Sequence, residues 1–171
     1  AWYFLGQPAL RRGASIPERS IAVLPFVNMS GDAANDYFSD GLAETTLDML
    51  AQVRDLKVIA RTSSFAFKGR NTDMREIGRA LGAAHLLEGS VQQAGDTVRI
   101  TVQLIRASDG SHLWSRHFDR RIADVFRIQD EIATAVVQAL QVALPASERA
   151  RLVQPRTASV AAYQEYLHGI A

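Results

Sequence analysis

Apolar residues recur along this chain with two different periods, and the switch between them predicts its elements. Ser20 to Val27 (SIAVLPFV) is a short, nearly continuous apolar run ending in the turn-prone Asn28-Met29-Ser30-Gly31-Asp32, the pattern of a strand buried on both faces. From Asp36, the positions Phe38, Leu42, Met49 and Val53 recur at helical spacing, with Leu47 and Leu50 widening the stripe. Leu56 to Ala60 is a second apolar run. Asp73 to Leu81 places Met74, Ile77 and Leu81 on one helical face, with Thr72 or Asp73 able to cap its exposed amides and Gly82 able to end it.

Three strand-like stretches follow, Ala84 to Gln93, Thr97 to Ala107 and Ser111 to Arg121, joined by Ala94-Gly95-Asp96 and Ser108-Asp109-Gly110. In the middle one, Val98, Ile100, Val102 and Leu104 alternate with Arg99, Thr101 and Gln103, so one face is buried and the other polar. These connections predict an antiparallel meander. Asp124 to Leu144 steps Ile128, Ile132, Val136 and Leu140 along one stripe, and Pro145 stops it.

The order β-α-β-α-β-β-β-α predicts an α/β (α+β) fold, a mixed sheet of about five strands with helices packed on it. The first two strands flank one helical crossover and are expected to be parallel. Their carboxyl ends then share one edge, so loops 28–35 and 61–70 converge where open α/β sheets hold ligands. Residues 1–19, with Gly6, Pro8, Gly13, Ser15 and Pro17, read as a membrane-proximal linker and 20–144 as the folded domain. Residues 145–171 read as a second linker and one further helix, with Ala162, Tyr166 and Ile170 four apart.

The balance of charge removes whole classes of function. Among 171 residues, 19 Lys and Arg stand against 18 Asp and Glu, so no global field gathers nucleic acid or an anionic membrane. The absence of cysteine removes disulfides, thiolate zinc sites and cysteine nucleophiles. No apolar run is long enough to span a bilayer. The opening Trp2-Tyr3-Phe4-Leu5 before Gly6 and Pro8 resembles the end of a transmembrane helix, or else is a loose start; Arg11-Arg12 leaves the topology open.

Candidate chemistry is sparse. Asp32, Asp36, Asp40 and Glu44 have a spacing that can gather carboxylates on one helical face, but the register departs from a calcium loop and helix starts attract acids, so capping and solvation are the reading. His85, His112, His117 and His168 lack metal-site pairing, and His112 and His117, five apart on a strand, are expected on opposite faces. The serines Ser63, Ser64, Ser90, Ser111 and Ser115 sit in no nucleophile motif, and no glycine-rich phosphate loop occurs. Neither a catalytic residue, a metal nor a cofactor is assigned. Arg61 to Arg70 (RTSSFAFKGR) interleaves aromatics, cations and hydroxyls, a mixture that grips a peptide or an anion; the plainer reading tucks Phe65 and Phe67 into the core. The binding residues assigned are Asn28, Ser30, Asp32, Arg61, Ser63, Phe65, Phe67 and Lys68. Trp114 and Phe118, on an alternating strand, are expected in the core.

Taken together, SIAVLPFVNMSGD, YFSDGLAE, VIARTSSFAFKG, REIGRALGAAHLLEGSV, VRITVQLI, DGSHLWSRHFDR and FRIQDEIA resemble the TolB amino-terminal-like domain over about residues 20 to 144. The resemblance implies two main helices against a mixed five-stranded sheet. It also implies a periplasmic position after an inner-membrane helix and before tetratricopeptide repeats, whose opening helix Ala158 to Ala171 (ASVAAYQEYLHGIA) resembles. In such proteins the cytoplasmic side is often a class III adenylate or guanylate cyclase, a winged-helix DNA-binding domain or a protein kinase, and no catalytic residues carry over. The function expected is a non-enzymatic periplasmic interaction or sensory module binding a protein or small ligand, without nucleic acid. The alternative is a structural spacer or homodimerisation platform that presents the repeats, with the sheet edge or helix 124–144 as its contact.

Overall fold

A computed structural model describes residues 15–68 and 73–144 of the chain. The aromatic opening, Arg11-Arg12, the end of the 61–70 loop and the repeat-like segment lie outside them. The described residues form six strands, β1 (Ser20–Val23), β2 (Val27–Asn28), β3 (Lys57–Val58), β4 (His85–Ala94), β5 (Thr97–Arg106) and β6 (His112–Arg121), and four α-helices, α1 (Asp36–Ala51), α2 (Arg61–Phe65), α3 (Met74–Leu81) and α4 (Val125–Ala143). The strands make one mixed sheet in the order β3-β1-β4-β5-β6, with β2 also on β4.

The run 20–27, expected as one strand, is two. Both β1 and β2 pair in parallel with β4, at Ile21↔His85 and Val27↔Ser90, so they are two halves of one line. Pro25 lies at the break. Proline has no N–H to give to a ladder, and pairing resumes only beyond it, where the Met29 amide donates to the Val91 carbonyl at 2.8 Å. The sixth strand comes from this break, and segment 61–70, expected as loop, opens with the one-turn helix α2. As expected, β1 and β3 are parallel and β4, β5 and β6 form an antiparallel meander.

Two layers of side chains explain why β1 is buried at every position. Ile21 and Val23 face the main core with Leu42, Leu47 and Leu50 of α1 and Ile128, Ile132, Val136 and Leu140 of α4. Ala22 and Leu24 face a second, smaller core with Ile77 of α3, Leu86 and Ile105. Helices therefore cover both faces at this end of the sheet, which is what a continuous apolar strand requires. Helix α3 is delimited as its sequence predicts: the Arg75 amide donates to Asp73 Oδ1 at 2.8 Å, and Gly82 closes the helix at φ +69°.

Over β6, and over β5 before Ile105, the described residues cover only one face. Val98, Ile100, Val102, Leu104 and Phe118 point into the main core, while Arg99, Thr101 and Gln103 form an open polar face. A register shift at Leu104/Ile105 pairs Trp114 with Leu104 but His112 with Ile105, leaving Leu113 as the extra residue. One extra residue inverts the parity of the strand beyond it. His112 and His117, expected on opposite faces, therefore share the open face.

Candidate functional site

Loops that follow β1 and β3 meet in a cleft of about 410 Å³ at the carboxyl ends of those strands. Its apolar floor comes from Leu24, Phe26, Phe67, Met74 and Ile77, and its rim carries Asn28, Asp36, Lys68 and Glu88. Each element contributes for a local reason. Pro25 turns the backbone out of the ladder and lets Phe26, 2% exposed, pass beneath Gly89, where a β-carbon would stand 2.7 Å from the Thr101 carbonyl and 3.1 Å from the Phe26 ring.

Asn28 organises the loop on one side. Its Nδ2 donates to the Asp32 carbonyl at 2.7 Å and to Asp36 Oδ1 at 2.9 Å, and its Oδ1 accepts from the Ser30 amide at 2.9 Å. The Ser30 hydroxyl in turn accepts from the Gln93 amide at 2.7 Å, which ties the loop to β4. Asn28, Ser30 and Asp32 thus build the loop, and of these only Asn28 reaches the cleft. Asp36 stands at the start of α1, where a carboxylate suits the exposed amides, so the acidic spacing noted in the sequence has a structural use.

On the other side, two ion pairs pin the segment 61–68 to α1. Arg61 reaches Glu44 at 3.1 Å and lies 4.7 Å above the Phe65 ring. Lys68 reaches Asp40 at 2.5 Å. Phe65 packs against the main core and Phe67 against the second, so both aromatics are partly structural. Ser63 is exposed and lies away from the cleft. Of the eight residues singled out from the sequence, the structure brings Asn28, Phe67 and Lys68 to one cleft.

Glu88 is the residue that sequence reasoning missed. It sits half-buried on the cleft side of β4, and desolvation pushes its carboxyl above the ordinary 4.5, opposed by the nearby His112. The signal available was its place inside the apolar run His85-Leu86-Leu87-Glu88-Gly89, where a carboxylate is out of pattern. With the Lys68 charge met by Asp40, the rim is left with a net negative balance from Asp36 and Glu88. Among the described residues no three potential ligands gather for a metal ion, and no helix is long and apolar enough to cross a membrane.

Comparison with known proteins gives a family and a fold. Residues 17–135 match the family described as HilA/YgeH-like transcriptional regulator, second domain. A protein of Rhizobium meliloti (strain 1021) named "Putative adenylate cyclase 3" is 48% identical over 132 residues, which are 77% of this chain and 22% of that protein. The chain thus spans about a fifth of the relative's length. Among solved structures, TolB from Acinetobacter baumannii superposes with a TM-score of 0.51 at 17% identity, over 71% of this chain and 28% of that one. Lipoprotein GNA1162 from Neisseria meningitidis gives 0.52 at 20% identity, over 75% of this chain and 99% of that one. The TolB resemblance read from the sequence therefore returns as a likeness of fold.

Proposed function

We propose, because the chain belongs to the family of HilA/YgeH-like transcriptional regulator second domains, that it is a non-enzymatic interaction module of a larger signalling protein, and that its cleft receives a protein segment or small ligand. The observation that carries this reading is the convergence of Asn28, Phe67, Lys68 and Glu88 at the carboxyl ends of parallel strands, where open sheets place their ligands. The relatives support it from another side. The family takes its description from transcriptional regulators, whereas the Rhizobium protein is named as a cyclase. A unit that recurs beside different outputs is suited to sensing or docking. The likeness to nearly the whole of the Neisseria chain suits a fold that stands alone.

The location proposed is the periplasmic side of an inner membrane, after an anchoring helix and before tetratricopeptide repeats, and it rests on the TolB-like sequence resemblance. Within the proposal, residues 20–144 are the folded unit. A partner in the cleft alters the output only if it binds two states of the whole protein with different affinity.

The test uses the full-length protein. Removing residues 20–144, or combining Phe67→Ala with Lys68→Ala, is expected to change the signalling output, and affinity capture with the wild type is expected to retain a partner that the double variant loses. Output unaltered by the deletion overturns the proposal. A stable dimer that retains nothing, with output lost in the deletion and kept in the double variant, favours the structural platform instead.

A further inference from the structure

We propose that the free edge of β6, with the groove it makes against α4, takes an extended partner segment whose groove-facing side chains, at every second residue, are in turn apolar and acidic, added to the sheet as a further strand. This surface lies at the opposite edge of the sheet from β3 and is independent of the cleft.

The two edges of the sheet are unequal. At one, β3 has two residues; at the other, β6 has ten, about 33 Å of backbone whose outer N–H and C=O groups face no strand among the described residues. A long edge of this kind is a template for pairing. Beside it runs a groove of about 410 Å³ lined by Trp114, Arg116, Ala135, Ala139 and Val142. The alanines one turn apart keep the surface of α4 low there, and Val142 leaves an apolar side chain 78% exposed at the rim.

Charge selects the occupant. Phe118 and its neighbours two residues away share one face, and both flanking arginines lie over its ring, Arg116 at 4.6 Å and Arg120 at 5.9 Å. Arg120 is met by Glu131 of α4 at 2.7 Å, whereas Arg116, exposed on the groove wall, makes no ion pair with a described residue. In a pair of β6 strands the one carboxylate of the strand, Asp119, is already held by Arg99, and Arg120 and Arg121 are met by Glu131 and Asp96, so each Arg116 would face a strand with no free carboxylate for it, and like charges facing across a ladder are destabilising. An acidic strand meets none of that repulsion. Side chains of a strand return to one face at every second residue, so the groove-facing positions must themselves alternate, setting one apolar side chain between Trp114 and the alanines and, two residues on, one carboxylate against Arg116.

The experiment titrates the isotopically labelled chain with a synthetic peptide of about ten residues repeating Val-Thr-Glu-Thr, which puts valine and glutamate in turn on one face, and with its counterpart carrying lysine in place of glutamate, following amide shifts and hydrogen exchange. The glutamate peptide is expected to bind at least tenfold more tightly, slow exchange at alternate β6 amides, shift Ala135 and Ala139, and leave Phe67 unmoved. Arg116→Glu, an exposed change that the fold tolerates, is expected to reverse the preference. Failure of the glutamate peptide to bind, binding without protection of β6, or an unaltered preference in Arg116→Glu overturns the proposal. So does protection of β6 before any peptide is added, which would assign the edge to the chain's own residues, or protection that grows with protein concentration, which would assign it to a second copy.

Discussion

A β-carbon added to Gly78 would stand 2.4 Å from the β-carbon of Ala107, so α3 meets the end of β5 with no room for a methyl group between them. This contact seats the helix whose Met74 and Ile77 floor the cleft, and so links a small residue in a helix to the shape of the candidate site.

Gly78→Ala therefore sets two effects against each other. Alanine gains about 1 kcal/mol over glycine in a helix interior. Overpacking costs about 1–3 kcal/mol, and the Ala83 carbonyl at 3.2 Å blocks escape on the other side. Sterics are expected to win, with a lower midpoint in urea unfolding, and Ala107→Gly in the same chain is expected to restore part of the loss. A Gly78→Ala variant more stable than wild type would show that the two elements can separate freely.

Most of this framework was legible because both periods are strong. The stripe Ile128, Ile132, Val136 and Leu140 is fully buried, and the alternation of β5 holds through Leu104. What escaped was decided between elements rather than within them. The interruption at Pro25 depends on β4 running alongside, and the shared face of His112 and His117 depends on one extra residue opposite Leu104/Ile105. Asn28 stood out as a turn residue, but its three hydrogen bonds exist only once Ser30, Asp32 and Asp36 have been folded around it. Glu88 was missed because its meaning comes from Phe26 and Phe67, which are distant in the chain.

His85 predicts one pH dependence. It is 3% exposed, and its Nδ1 lies 3.2 Å from the Ser20 carbonyl, which can only accept and so holds the proton on that nitrogen. Burial pushes its pKa below the ordinary 6.5. The unfolded chain then binds the extra proton first, so this contribution to stability is complete above 6.5, falls as pH drops through the interval down to the folded value, and levels off below it. Urea titrations across that interval are expected to show the slope, and His85→Gln to flatten it whatever its effect on absolute stability.

Glu88 predicts the opposite sign. Its folded pKa is raised above 4.5, so the folded state holds the proton longer. The contribution is complete below 4.5 and is lost as pH rises through the folded value. Glu88→Gln, which keeps the shape and removes the charge, is expected to stabilise the protein near neutral pH and to make little difference below 4.5. Equal unfolding midpoints for variant and wild type at neutral pH would show that water reaches the carboxylate and removes the cost of burying it.

Lys68 and Asp40 provide the sharpest test of how the cleft is held. Their ion pair spans 2.5 Å between the turn after α2 and the first half of α1, with side-chain exposures of 46% and 27%. An exposed pair of this kind contributes about 0.2–1 kcal/mol, so Lys68→Met is expected to move the global unfolding midpoint only slightly. The local effect is larger for a geometric reason. Among the described residues Asp40 Oδ1 is already buried without a hydrogen-bond partner, and loss of Lys68 leaves the other oxygen unmatched as well. Relief comes from the turn moving outward, which carries Phe67 off the second core and opens the floor of the cleft. Hydrogen exchange at residues 66–68 is therefore expected to accelerate in Lys68→Met while α1 and β4 stay protected. Lys68→Arg keeps the charge and is expected to retain slow exchange, and Asp40→Asn to behave as Lys68→Met does. If exchange at 66–68 is unchanged in Lys68→Met, packing of Phe67 alone holds the turn and the ion pair is incidental to the cleft.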